Sequence, residues 1–102
     1  MHPIIESHTA ELAGLCRRFH VRRLDLFGSA TTDRFDPATS DLDFLVEYEA
    51  MVPELLVDSY FGLLEDLEAL FQRSVDLVVA RAIRNPYFAK SVEETRQPVY
   101  VA

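Results

Sequence analysis

The chain begins with a stretch in which apolar residues recur every three to four positions. Over residues 3–19 these positions include Ile5, Leu12 and Phe19, and the spacing predicts an amphipathic helix. Pro3 suits the first turn of that helix, because a proline lacks the backbone N–H that the first turn leaves unpaired anyway. Cys16 lies on the same apolar side, so we interpret it as a thiol of the core.

Alternation of apolar and polar residues then predicts three strands, over residues 21–27, 42–48 and 75–79. Successive side chains of a strand point to opposite faces of its sheet, so each strand has a core face and an opposite face. On the first strand Asp25 belongs to the opposite face, and on the third Asp76 does. On the second, the core face holds Leu42, Phe44, Val46 and Tyr48, and the opposite face holds Asp41, Asp43, Leu45 and Glu47.

A long amphipathic helix is predicted to begin at Pro53 and to end near Phe71. Val57 and Phe61 fall beside its main apolar stripe. We interpret them as broadening the surface that packs inside the domain, and a surface that binds a partner is the alternative.

The last part of the chain predicts one more helix and a short edge strand. Asn85 followed by Pro86 is typical of a helix start, and the strand covers residues 98–101. The chain shows no internal repeat and no linker, so we expect one continuous domain over residues 1–102. The predicted fold class is α/β, of the α+β kind: a small mixed β-sheet with its helices on one face and the other face open.

Composition limits the class of protein. The chain has 102 residues, 49% of them hydrophobic, and a single cysteine, which excludes a disordered chain and a disulfide scaffold. No apolar run approaches the roughly 18 residues of a membrane span, and the first residues lack the features of a signal peptide, so we expect a cytoplasmic protein without a membrane partner. The net charge of −7 disfavours direct nucleic-acid binding. It also disfavours nucleotide binding, unless metal ions neutralise the acidic groups.

The first candidate site is Gly28–Ser29, where the first strand ends and a helical turn is predicted. Glycine lets a phosphate approach the backbone closely, and the serine adds a hydroxyl donor. An ordinary helix cap is the alternative for this dipeptide taken by itself.

The second candidate site is the pair Asp41 and Asp43. Residues two apart in a strand point the same way, so the two carboxylates stand side by side and repel each other unless a cation lies between them. Mg²⁺ prefers such oxygen ligands and often combines them with substrate phosphates. A solvated polar face is the alternative.

Asp76 interrupts an apolar strand, VDLVV. If that strand neighbours the strand of Asp43, Asp76 completes a cluster of three acids on the open face; an aspartate simply facing water is the alternative. Asp25 shares this face as well. For Asp25 we favour a surface ion pair with Arg23 or another neighbour over a fourth catalytic acid.

Together these features resemble the signature of the DNA-polymerase-β-like nucleotidyltransferases, which is Gly-Ser, a spacer of about ten residues and Asp-x-Asp. The matching stretch is LFGSATTDRFDPATSDLDFLVEY, in which eleven residues separate Ser29 from Asp41. The chain is more closely similar to the minimal nucleotidyltransferase (MNT) antitoxins of that superfamily. This resemblance extends over most of the chain, including ALFQRSVDLV and RNPYFAKSVEETRQPVY.

The resemblance implies the polymerase-β-like nucleotidyltransferase fold and metal-dependent transfer of AMP from ATP. Gly28 and Ser29 would bind the triphosphate, and Asp41 and Asp43 would ligate Mg²⁺. Asp76 would be the third catalytic acid and would ligate a second ion nearer the acceptor. The implied acceptor is a tyrosine hydroxyl of a HEPN-type RNase toxin, which the modification silences and with which the chain would form a hetero-oligomer.

One segment departs from the family pattern. Many members follow Gly-Ser with Ala-Arg-Gly, whereas here Ala30 is followed by Thr31, Thr32 and Asp33. Arg34 stands later in the chain than the usual arginine, and we expect it to take over nucleotide binding imperfectly. This departure keeps open an antitoxin that acts by binding alone.

An adenylyltransferase for a small-molecule acceptor is the other alternative. Larger enzymes of the superfamily carry further domains that bind the acceptor, whereas here the acid-bearing core occupies almost the whole chain. We therefore favour an acceptor that another macromolecule supplies.

Overall fold

A four-stranded mixed sheet organises the chain in this computed structural model, which describes residues 3–32, 36 and 40–102. Its strands are β1 (Val21–Phe27), β2 (Leu42–Tyr48), β3 (Val75–Val79) and β4 (Gln97–Val101), in the spatial order β3-β2-β1-β4. β1 pairs antiparallel with β2 and β4, and β2 pairs parallel with β3. The predicted strands and the small mixed sheet are confirmed.

The predicted opening helix is divided into α1 (Pro3–Glu6) and α2 (Thr9–Arg18). The Ile4 carbonyl oxygen accepts a hydrogen bond from the Ser7 hydroxyl (3.2 Å) and lies 2.9 Å from Nδ1 of His8. Side chains that bond to nearby backbone in this way compete with helical hydrogen bonds. The apolar spacing therefore predicted the helical segments, but not the break between them.

The main core lies between one face of the sheet and the helices α2 and α3 (Pro53–Phe71). Burial of apolar side chains there holds the helices to the sheet, at about 25 cal/mol per Å² removed from water. Cys16 is fully buried in this core, as expected. The sheet contributes Leu24, Leu26, Leu42, Phe44, Val46 and Leu77, and the helices contribute Leu12, Cys16, Leu63, Leu67 and Phe71.

The last helix, α4 (Pro86–Thr95), lies on the opposite face of the sheet. It begins as predicted, since the Asn85 side chain accepts hydrogen bonds from the N–H groups of the first turn. Its Val92 packs with Phe27 and Leu45, which point away from the main core. Phe27 and Leu45 form an apolar patch on the face that bears Asp43 and Asp76, which we call the acidic face. The expectation that the helices share one face therefore holds for α2 and α3 but not for α4, which packs on this patch.

Two residues of α3 differ from the interpretation made on the sequence. Val57 is 55% exposed and Phe61 is 56% exposed, so neither is packed inside the domain. They are available to a partner, which is the alternative that the sequence left open. Within the described ranges, no helix is both long and apolar enough to cross a membrane.

Candidate active site

The site begins where β1 ends, at a short 3₁₀ turn over Gly28–Thr31. Gly28 has φ +72°, a left-handed conformation that costs other residues roughly 1–2 kcal/mol. Its carbonyl accepts a hydrogen bond from the Thr31 hydroxyl (2.8 Å), which closes the turn. The turn therefore follows β1 directly, and its Ala30 is buried in the main core.

Gly28 lies directly against Asp43. The register of the sheet pairs Phe27 with Asp43, so the turn begins beside the second acid of the Asp-x-Asp motif. A Cβ atom added to Gly28 would lie only 2.5 Å from Oδ2 of Asp43. The glycine thus provides both the backbone conformation and the space that this carboxylate occupies.

Two of the three predicted acids are neighbours across the sheet. The parallel pairing of β2 with β3 sets Asp43 opposite Asp76, and both belong to the face turned away from the main core. Asp41 precedes β2 by one residue and is exposed to solvent. The juxtaposition that the sequence made conditional on the order of the strands is present.

The three charges act on one another through Asp43. Partial burial, the charge of Asp76 and the charge of Asp41, in that order of size, raise the pKa of Asp43 from 3.8 to about 6. All three causes disfavour the ionised form of Asp43, whereas a nearby cation would favour it.

The acids fit a hard metal ion by their chemistry. Carboxylate oxygens are ligands that Mg²⁺ accepts, and the contact between Gly28 and Asp43 leaves the second acid close to the phosphate-binding candidate. Over the described ranges, no three His, Cys, Asp or Glu side chains are already gathered as a metal-binding group.

Ser29 is half-buried in the turn after Gly28. Its carbonyl accepts hydrogen bonds from the backbone N–H of Thr32 (3.0 Å) and from the Thr32 hydroxyl (2.9 Å). Its carbonyl is thus occupied within the turn. Arg34, the remaining predicted nucleotide ligand, lies outside the residues that the structure describes.

Asp25 does not belong to the metal-site candidates. It is paired with Arg23 as expected, with Nε 3.0 Å from Oδ1, but it is fully buried rather than on the surface. The Arg96 guanidinium donates to its Oδ2 from Nε (2.6 Å) and from a terminal nitrogen. A fully buried carboxylate held between two arginines is a structural ion pair.

Sequence reasoning missed Thr95 and Arg96, which join α4 to β1. The Thr95 hydroxyl oxygen accepts a hydrogen bond from the backbone N–H of Gly28 (3.0 Å), across 67 positions of the chain. One signal pointed toward Arg96: an aspartate at position 25, between apolar strand residues, requires positive partners if it is buried. No comparable signal pointed to Thr95.

Sequence comparison with known proteins gives matches over most of the chain. The sequence profile of the family described as "Nucleotidyltransferase domain" matches residues 12–99. The chain is 32% identical over 91 residues to "Putative protein adenylyltransferase MJ0126" of Methanocaldococcus jannaschii, a match that covers 89% of this chain and 86% of the relative.

Solved structures show the same fold. A "putative minimal nucleotidyltransferase" superposes with a TM-score of 0.76 at 26% identity, covering 96% of each chain. A chain of the tri-AMPylated Shewanella oneidensis HEPN toxin in complex with MNT antitoxin superposes with a TM-score of 0.66 at 17% identity. That second match covers 96% of this chain and 73% of the other chain, and at this identity it is evidence for the fold alone.

Proposed function

Because the chain belongs to the nucleotidyltransferase domain family, we propose that it is an antitoxin that transfers AMP from ATP to a tyrosine hydroxyl of a HEPN-type RNase toxin. The transfer would silence the toxin. The observation that carries the chemistry is the contact of Gly28 with Asp43, beside Asp76 on the next strand. It joins a turn suited to phosphate and a pair of carboxylates in one place.

The nucleotide would be bound at the turn after β1. The hydroxyl of Ser29 would donate a hydrogen bond to the triphosphate, and Gly28 would let the phosphates approach the backbone. Asp43 lies within van der Waals reach of that glycine, so phosphates and carboxylates would face each other across a short gap. Like charges repel, and the nucleotide would therefore enter with its cation.

Asp41, Asp43 and Asp76 are the residues that would hold Mg²⁺. Bound there, the metal would supply positive charge that stabilises both the attacking and the leaving oxygen of an in-line displacement at phosphorus. The raised pKa of Asp43 supports this assignment, because a cation would stabilise the ionised form of a carboxylate that is partly buried and lies near Asp76 and Asp41.

Asp76 would act on the acceptor. It is exposed on β3, at the edge of the sheet, where a tyrosine of another protein can reach it. As the tyrosine oxygen forms its bond to the α-phosphorus, the bond from that phosphorus to the bridging oxygen breaks and pyrophosphate leaves. The carboxylate of Asp76 would take up the proton of the tyrosine hydroxyl.

The choice of a toxin as acceptor rests on the relatives. One relative is named as a protein adenylyltransferase, and one structural neighbour is a complex of an AMPylated HEPN toxin with an MNT antitoxin. The more than half-exposed apolar side chains of Val57 and Phe61 also suit a protein that acts on a protein.

The test is to mix the purified chain with Mg²⁺, ATP labelled on its α-phosphate and the HEPN-type toxin encoded beside its gene. Wild type should label the toxin and abolish its RNase activity in step with the label. Asp76→Asn should still bind ATP but transfer AMP more slowly, by about 10²–10⁴-fold, since the acceptor's base is lost. The matched control is Glu11→Gln on α2, which removes one exposed negative charge on the other side of the sheet.

Three outcomes would contradict the proposal. If wild type and Asp76→Asn label the toxin equally, Asp76 takes no part in the transfer of AMP. Silencing without label would make this chain an antitoxin that acts by binding alone. Label on a small molecule with the toxin left unmodified would make the acceptor a metabolite.

A further inference from the structure

The carboxyl-terminal end of α4 contacts β1 and the turn after it at two consecutive residues. Thr95 accepts the hydrogen bond of the Gly28 N–H, and Arg96 bonds to Asp25, three residues earlier on β1. Both contacts are made by the part of α4 that runs into β4. The position of the Gly28 turn is thus tied to a helix on the acidic face, and not only to the strand that precedes it.

The Thr95 hydroxyl makes two hydrogen bonds, one as acceptor and one as donor. The Thr95 hydroxyl donates its only proton to the Ser91 carbonyl (3.1 Å), so its oxygen is left to accept from Gly28. The N–H of Gly28 is then directed at α4. The backbone of Gly28 is thereby restrained on both sides, by Thr95 at its N–H and by Thr31 at its carbonyl.

Arg96 holds the same end of α4 in place. Its side chain is only 19% exposed and donates to Asp25, to Glu93 (2.7 Å) and toward Glu47 at 3.6 Å. The carboxylate of Asp25 has no access to solvent, so its charge depends on Arg96 and Arg23. The guanidinium therefore fixes the distance between α4 and β1 at the level where Thr95 meets Gly28.

We propose that Thr95 and Arg96 are positioning residues of the nucleotide site. They hold the Gly28–Ser29 turn in the conformation that binds the triphosphate and that leaves room for the carboxylate of Asp43. The inference rests on the proposed function, because it takes that turn as the phosphate-binding element. Neither residue is expected to touch ATP, and both act through Gly28.

The experiment measures Mg–ATP binding by calorimetry and amide hydrogen exchange at Gly28 by NMR. Thr95→Val keeps the shape of the side chain and removes the acceptor. We expect its Kd for Mg–ATP to rise about tenfold, which corresponds to about 1.4 kcal/mol, and its Gly28 amide to exchange faster. Thr95→Ser should restore both values, because it restores the hydroxyl.

The matched control is Thr9→Val on α2, which packs on the other face of the sheet. Its hydroxyl also donates to a backbone carbonyl of the preceding turn, that of Glu6, but does not contact Gly28. Thr9→Val deletes a hydroxyl group just as Thr95→Val does. Its Kd for Mg–ATP and its rate of amide exchange at Gly28 should nevertheless stay at the wild-type values. If Thr95→Val does not fold, Arg96→Lys takes its place, since it keeps the positive charge and loses the guanidinium geometry, and its Kd should rise.

The result that overturns this inference alone is wild type that binds Mg–ATP and a folded Thr95→Val that binds it equally well. An equal rise in Kd for Thr9→Val would also overturn it, since the effect would then be one of general stability. Wild type that binds no Mg–ATP would overturn the proposed function and this inference with it.

Discussion

Gly28 carries a hydrogen atom at the point where any other residue would carry a Cβ, and Asp43 uses the space. The clearance is small, since the added atom would lie 2.5 Å from the carboxylate oxygen. The positive φ of Gly28 adds a second reason for glycine at this position. At the scale of single residues, this pair links the geometry of the backbone to the position of a charge.

Gly28→Ala is therefore expected to lower both the stability of the fold and the affinity for Mg–ATP. The left-handed conformation should lower the free energy of unfolding by about 1–2 kcal/mol. The new methyl group should also displace the Asp43 carboxylate, so that Mg–ATP binding weakens even in conditions where the variant is fully folded. Denaturant unfolding and calorimetry measure the two effects separately.

Gly14→Ala is the matched control for this prediction. Gly14 lies inside α2, and an added Cβ would meet nothing within 4 Å. The change should stabilise the chain by roughly 0.5–1 kcal/mol and leave ATP binding unaltered. Gly28→Ala with wild-type affinity for Mg–ATP would show that the approach of Gly28 to Asp43 does not matter for the site.

Among the elements, α3 has a second task besides the core. β3 lies at the edge of the sheet, and an edge strand exposes backbone groups that can pair with another chain. Two side chains of α3 occupy such groups: Tyr60 donates to the Leu77 carbonyl (2.7 Å), and Glu68 accepts from the Val75 N–H (3.2 Å). This edge is thereby protected next to the strand that carries Asp76.

The attachment of α4 depends on a buried ion pair, which makes it sensitive to one substitution. Arg96→Met should lower the free energy of unfolding by about 3 kcal/mol, because Asp25 would stay buried with only one of its two cations. Thermal or denaturant unfolding measures the change.

A double variant identifies the cause. Asp25→Asn together with Arg96→Met should be less destabilised than Arg96→Met alone, since no charge is then left uncompensated. Double and single variants of equal stability would show that packing of the Arg96 side chain, rather than its charge, holds α4.

At the scale of the whole molecule, the net charge of −7 and the repulsion among the three acids both lower the stability of the folded chain. The pKa of Asp43 is about 6 in the folded chain against an ordinary value of 3.8. Between these two values the folded chain binds more protons than the unfolded chain, so stability falls as the pH rises. Below about pH 4 the carboxyl is protonated in both states, and its unfavourable contribution disappears.

Asp43→Asn should therefore stabilise the metal-free chain at pH 7.5. A shift of this size corresponds to about 3 kcal/mol for a fully buried group, and solvent screening of the half-exposed carboxyl reduces the expected gain to about 1–2 kcal/mol. The difference from wild type should shrink from pH 6 downward and vanish near pH 4. Asp58→Asn, which removes an exposed charge elsewhere, should show no such profile, and a constant gain at every pH would contradict the raised pKa of Asp43, which burial and the charges of Asp76 and Asp41 cause.

The sequence by itself determined the strands, the helix over Pro53–Phe71 and the face on which each acid lies. These features repeat with a period of two or of about 3.6 residues, so a local window contains them. The resemblance carried by Gly-Ser and Asp-x-Asp predicted the family, and the profile match confirms it. The roles of Asp41, Asp43, Asp76, Gly28 and Ser29 remain predictions from that resemblance.

Only the tertiary structure decided which distant parts meet. The pairing of β2 with β3 brings Asp76 beside Asp43, and α4 crosses to the acidic face to bury Phe27 and Leu45. The same packing turned Asp25 from an expected surface residue into a buried one. Thr95 reaches Gly28 across 67 positions, and Arg96 reaches Asp25 across 71. Such contacts depend on which surfaces pack together after the elements have formed, and no local period of the sequence encodes that choice.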